Sequence, residues 1–146
     1  MIDSLVLALQ SEKAAQMATI IKKIDDPDEL TNSNVVKVVV DKNGYALYFS
    51  RYAIPYNRTG ETDDKKRPVY YKHIGLYAFT KDFLFTFRNL PESSLERSEK
   101  LEQLRVLEYG YKIKTIETKF DTVGIDRPED LKRAEEVLLR EREKVS

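Results

Sequence analysis

The sequence has no cysteine, a single histidine and no net charge, with 25 basic residues set against 25 acidic ones. The missing cysteine excludes disulfides and thiol nucleophiles and points to a cytoplasmic home. The missing charge excess argues against a nucleic-acid surface, which needs a basic balance. No apolar run is long enough to span a bilayer and no signal-peptide pattern is present, so no membrane partner is expected. There is no internal repeat. What remains is ordinary for one folded domain: 146 residues, 41% hydrophobic and 34% charged, enough to bury a core.

The strongest local signal is SSLERSEKLEQLRVLEYG, residues 93–110. Its spacing predicts one amphipathic helix. Ser93 and Glu96 stand in capping-box register, and Gly110 can take the left-handed conformation that ends a helix. Leu101, Leu104 and Leu107 form one apolar stripe, and Leu95 and Val106 lie nearly opposite. Glu102 falls beside that second pair and Gln103 between the stripes, so both are expected to be partly buried and to need partners. Glu102 either pairs with a nearby Arg or Lys or meets a ligand; Gln103 either caps a loop or does the same.

Before this stretch, Ile2, Leu5, Val6 and Leu9 mark one face of a first helix running to about Ala15, begun by Asp3 or Ser4. MATII (17–21) reads as a buried strand, and 25–34 as a loop with one helical turn. VVKVVV (35–40), the turn signal Asp41-Lys42-Asn43-Gly44 and residues 45–51 predict a hairpin. The period of two puts Tyr45, Leu47, Phe49 and Arg51 on one face. Arg51 ends that face, and its guanidinium wants an anion: a local carboxylate or a ligand. Residues 55–68 are polar and aperiodic, a lid, a subunit contact or a solvated insertion.

In the strand YYKHIGLYAF (70–79), Ile74, Leu76 and Ala78 face one side; Tyr71, His73, Gly75, Tyr77 and Phe79 face the other. A regular strand would hold His73 and Tyr77 about 13 Å apart. Gly75 between them marks a close approach by ligand or backbone. His73 is either a structural residue or a ligand contact. Thr80 is placed to cap a helix over 81–89 that Pro91 ends, and 111–118 alternates as an edge or half-exposed strand. Asp126 opens a last helix, with Pro128 in its first turn and Glu129 three residues on. Its carboxylate either caps that helix or, in a loop after a strand, holds a metal.

Four ordered segments, FSRYAIPY (49–56), KHIGLYAF (72–79), LERSEKLEQLRVLEYG (95–110) and VGIDRPEDL (123–131), resemble the C-terminal half of the 3-deoxy-manno-octulosonate (KDO) cytidylyltransferases, or CMP-KDO synthetases. NVVKVVVDKNGYALYFSR (34–51) is similar to that family as well. The resemblance implies an α/β, nucleotidyltransferase-like fold, a mixed sheet with flanking helices. It implies transfer of CMP from CTP to KDO with Mg²⁺ and release of pyrophosphate, for lipopolysaccharide synthesis, in a homodimer. It casts Arg51, His73, Tyr77, Glu102 and Gln103 as contacts of the sugar acid and Asp126 as a metal aspartate. The family's phosphate-cradling loop and its Gln-Gly-Asp segment are absent from these residues. The expectation is that residues 1–146 form a C-terminal sugar-binding and dimerising part without the N-terminal nucleotide-binding half. The alternative is a non-catalytic binding or assembly module.

Overall fold

The computed structural model describes residues 1–60 and 68–120, with Leu131 and Glu135 beyond them. Their order is α1 (Ile2–Ser11), β1 (Met17–Lys23), α2 (Pro27–Thr31), β2 (Lys37–Val40), β3 (Ala46–Ser50), β4 (Tyr71–Phe79), α3 (Lys81–Asn89), α4 (Ser94–Glu99), α5 (Gln103–Glu108) and β5 (Ile113–Glu117). The strands make one five-stranded sheet in the order β3-β2-β4-β1-β5. Only the β1–β5 pair is parallel; the other neighbours run antiparallel. This is the mixed α/β sheet that the resemblance implies.

β1 explains why the sheet has helices on both sides. Its residues from Met17 to Ile21 are all buried, as an interior strand of apolar residues requires. Alternate side chains feed two cores. Ala18 and Ile20 meet Leu5 and Ala8 of α1. Met17 and Ile21 join Val38, Phe49, Phe83, Leu101, Leu104, Val106 and Ile113 on the opposite face, under α3, α4 and α5. The alternation in β5 holds: Ile113 and Thr115 are buried, and Ile116 packs toward α1.

Several expectations are corrected. α1 stops at Ser11 instead of Ala15, because Glu12 leaves helical geometry and sends its carboxylate to the Tyr45 hydroxyl and the Lys114 ammonium, each at 3.0 Å. The buried line of α1 is Leu5 and Ala8, while Ile2 and Val6 face outward. Thr80 occupies the cap position of α3 without a side-chain cap bond. In β3 the ladder shifts between Val39 and Val40, so Leu47 is left over. It is 60% exposed while Phe49 is fully buried, and the two do not share a face.

The outer side of β5 is partly covered. The turn before β3 curls round to it, with a bridge between Tyr45 and Lys114 and the Gly44 carbonyl accepting from the Thr115 N–H and hydroxyl, both at 2.8 Å. Gly44 takes φ +76°, a conformation that its lack of a Cβ permits.

Candidate functional site

The expected single helix over 93–110 is two helices. Ser93 and Glu96 do form the capping box of α4, and Gly110 does adopt a left-handed φ of 82°. At Lys100, however, φ is +55°, and the helix ends there. α5 restarts in a new direction, so Leu101, Leu104 and Val106 all enter one core, and the two stripes are no longer opposite faces. A partly buried ion pair braces the break: Arg105 donates to both Glu96 carboxylate oxygens, at 2.7 and 2.6 Å.

The break separates the fates of two neighbours. Glu102 becomes the first residue of the new turn and is exposed, contrary to its expected partial burial. Gln103 is 4% exposed. Its Nε2 is buried without a hydrogen-bond partner. A buried donor left unpaired costs about 1–3 kcal/mol, so this atom marks a place where an acceptor belongs.

Arg51 lies beside the same break. Its guanidinium donates to the carbonyls of Glu99 (2.8 Å), Ser33 (3.1 Å) and Lys100 (3.5 Å). A cation on the last carbonyls of α4 is favourably placed against the helix dipole. The Glu99 carboxylate reaches Arg51 at its backbone N–H, 3.0 Å, and takes the Ser50 hydroxyl at 2.7 Å. Of the two partners that the sequence allowed, the local carboxylate thus meets the Arg51 backbone, and the side chain serves carbonyls. Beneath it, Lys37 is fully buried. Its ammonium donates to the carbonyls of Asn32 (2.9 Å), Val35 (2.6 Å) and Arg51, using all three protons. Burial, and then the positive charge of Arg51, push its pKa down from the ordinary value.

His73 and Tyr77 are closer than a regular strand allows. The β1–β4 ladder pairs Thr19 with Tyr77 and the next residue, Ile20, with Ile74. Gly75 and Leu76 are therefore an insertion, and Leu76 is turned out to 36% exposure. The bulge brings the His73 and Tyr77 rings to 5.3 Å between centroids. Phe49 packs edge-on against His73 at 5.1 Å. Thr19, buried in β1, lies within hydrogen-bond distance of His73 Nε2, 2.9 Å, and of the Leu76 carbonyl, 2.9 Å. Burial lowers the His73 pKa to about 4, so the ring is neutral at pH 7. Burial, and then the charge of Glu102, push the Tyr77 phenol well up, so it stays a donor.

The structure thus ties three places together: the end of β3 at Phe49 and Arg51, the β4 bulge at His73 and Tyr77, and the α4–α5 junction at Glu102 and Gln103. Asp126, with Gly124 and Ile125, lies outside the described residues, as do residues 61–67 of the loop 55–68 and most of the last helix. Among the described residues no cluster of His, Asp and Glu could hold a metal ion, so no chemical step is assigned to one here. Sequence reasoning missed Thr19, Lys37 and Glu99. Thr19 is the one hydroxyl in MATII and Lys37 the one charge in VVKVVV, and both were legible as exceptions to buried runs. Glu99 carries no such signal.

Comparison with known proteins gives one answer. Residues 1–116 match the cytidylyltransferase family. The chain is 49% identical over 132 residues to a 3-deoxy-manno-octulosonate cytidylyltransferase of Solibacter usitatus, covering 90% of this chain and 51% of that protein. It is 49% identical over 142 residues to the Chloroherpeton thalassium protein of the same name, covering 96% and 56%. A solved CMP:2-keto-3-deoxy-manno-octonic acid synthetase complexed with CTP superposes with a TM-score of 0.84 at 35% identity, covering 96% of this chain and 56% of that one. The chain spans about half the length of the relatives it matches. It belongs to the cytidylyltransferase family, and its relatives there are 3-deoxy-manno-octulosonate cytidylyltransferases.

Proposed function

We propose that this chain supplies the sugar-acid side of a CMP-KDO synthetase reaction, in which CMP passes from CTP to KDO and pyrophosphate leaves. The observation that carries this reading is the buried, unpartnered Nε2 of Gln103, at the junction that Arg51 pins and beside the exposed carboxylate of Glu102. A sugar acid with one carboxylate and many hydroxyls offers what these groups lack. Gln103 donates, the Tyr77 phenol donates, neutral His73 and the Glu102 carboxylate accept hydrogen bonds from hydroxyls, and Arg51 presents positive charge toward the carboxylate. Their work is orientation: a sugar hydroxyl held in line with the α-phosphate gains most of what positioning can give. The names of the relatives, and the CTP bound to the solved one, support the substrate pair.

Mg²⁺ and Asp126 belong to this reading through the family resemblance alone. So does a homodimer, for which the exposed Tyr52, Tyr56, Leu84 and Phe85 offer apolar surface. Among the described residues no helix is long and apolar enough to cross a membrane.

The test is calorimetric titration of KDO into the purified chain. Saturable binding is expected, with loss when the carboxylate of the sugar acid is reduced to an alcohol. A chain with a cooperative melt that takes up no KDO would overturn the reading. Arg51→Ala is expected to weaken KDO binding by about 1.5–3 kcal/mol, and also to lower the melting temperature, since its side chain holds the end of α4.

A further inference from the structure

The bulge in β4 leaves an odd set of groups around one oxygen. Gly75 and Leu76 have no partner on β1, and the carbonyls of Ile74 and Leu76 turn instead toward Thr19 Oγ1, at 3.4 and 2.9 Å. His73 Nε2 stands 2.9 Å from that same oxygen. A hydroxyl has one proton to give. A carbonyl has none, so the short contact to Leu76 must consume the Thr19 proton. The bond to His73 then needs its proton from the ring. A neutral imidazole carries a single N–H, and if Nε2 bears it, Nδ1 is bare.

We propose that Thr19 is a positioning residue: committed to the Leu76 carbonyl, its hydroxyl holds His73 as the Nε2–H tautomer and leaves Nδ1 as a hydrogen-bond acceptor. Burial of the ring, which keeps it uncharged at neutral pH, acts in the same direction. An acceptor nitrogen takes a hydroxyl and repels a carboxylate. His73 therefore reads a hydroxyl of the ligand, and the carboxylate is left to Arg51 and Gln103. The ligand half of this statement rests on the sugar-acid reading; the tautomer does not.

The full chain has one histidine, so ¹⁵N-histidine labelling gives the spectrum of a single ring. At neutral pH the expected result is a bare Nδ1 and an Nε2–H proton slow enough in exchange to be seen directly. Thr19→Val should lose that proton signal to solvent exchange, and Thr19→Ser should restore it. A structural role alone would not restore it with serine and abolish it with valine. Should Thr19→Val fail to fold, Thr19→Ala is read in the same way. An Nδ1–H tautomer in the wild-type chain, or an Nε2–H signal that persists in a folded Thr19→Val or Thr19→Ala variant, overturns the proposal. Adding KDO separates the two halves: a moved Nδ1 resonance supports the hydroxyl assignment. An unmoved one, with the tautomer intact, overturns that assignment and leaves Thr19 in place.

Discussion

On the α1 side of the sheet, Leu5, Ala8, Ala18 and Ile20 close a small apolar cluster with Leu9, Ile74, Ala78 and Ile116. On the other side a larger core surrounds Phe49 and Leu104, and at its margin lie a buried lysine, an arginine on three carbonyls, a neutral histidine and an orphaned amide. The first side is held by apolar burial, which is tolerant of direction. The second is held by hydrogen bonds in a low-dielectric setting, where each unmade bond is expensive. The difference is what makes the second side the candidate for function: its polar groups are nearly, but not fully, satisfied from within. It also makes the two sides separable by mutation.

The largest effect should come from Lys37. Its ammonium is the donor for the Asn32, Val35 and Arg51 carbonyls. Lys37→Met keeps the stem and removes all three bonds. The Asn32 carbonyl keeps the Val35 N–H, so two carbonyls lose their donor, and at about 1–3 kcal/mol for each the loss should be roughly 2–6 kcal/mol. Urea unfolding measures it. A loss below about 1 kcal/mol would mean that water reaches these carbonyls and the polar side is looser than described.

Next in size is acid. His73 has its pKa lowered from 6.5 to about 4. Below pH 6.5 the unfolded chain binds a proton there that the folded chain refuses. Stability is therefore full above about pH 6.5, falls as the pH drops toward 4, and levels off below that. Roughly two and a half pH units correspond to about 3 kcal/mol. Glu108 behaves differently. Its carboxylate accepts from the Ser94 hydroxyl and the Leu95 N–H, which hold its pKa down to about 2. It loses its contribution only as the pH falls below its ordinary value of 4.5 toward 2. His73→Gln should flatten the upper window and spare the lower one. A wild-type stability profile that is flat from pH 7 to 5 would contradict the burial of the ring.

On the α1 side, Leu5→Ala removes a side chain that is 2% exposed from a small cluster and should cost about 2 kcal/mol, the lower end for such truncations. Its use is as a control. KDO affinity should be unchanged, because Leu5 itself packs in the cluster on the α1 side and is not among the candidate contacts. A parallel loss of affinity would show that the two sides are coupled through β1, and the comparison above would fail.

The sequence made the regular parts of both sides legible. Apolar alternation found the strands, and the capping box found the start of α4. The site depends on two irregularities that periodicity cannot show. A left-handed lysine reads as helix interior, because lysine is a good helix former. An insertion of two residues preserves the alternation of β4, so Gly75 hinted at a special position without revealing that His73 and Tyr77 meet. The candidate contacts came from resemblance alone, and the burial expected of Glu102 was reversed, since a straight helix through Lys100 puts it on an apolar shoulder.

The smallest change in stability, and the sharpest separation of stability from binding, should come from Gln103→Leu. The wild-type amide is buried with Nε2 unpaired, a cost that the free chain carries. Leucine of similar length fills the place without a polar atom, so the unliganded chain should be as stable as wild type or up to about 1 kcal/mol more so. The bound state should suffer instead. A ligand acceptor that would have met Nε2 is left facing a methyl group, and KDO affinity should fall at least tenfold, about 1.4 kcal/mol. Thermal melts with and without KDO measure both quantities in one experiment: the variant should melt no lower than wild type alone, and should gain less from the ligand. If Gln103→Leu melts several degrees lower and is still stabilised fully by KDO, the amide has a partner within the protein, and the opening that it was taken to mark is not the sugar site.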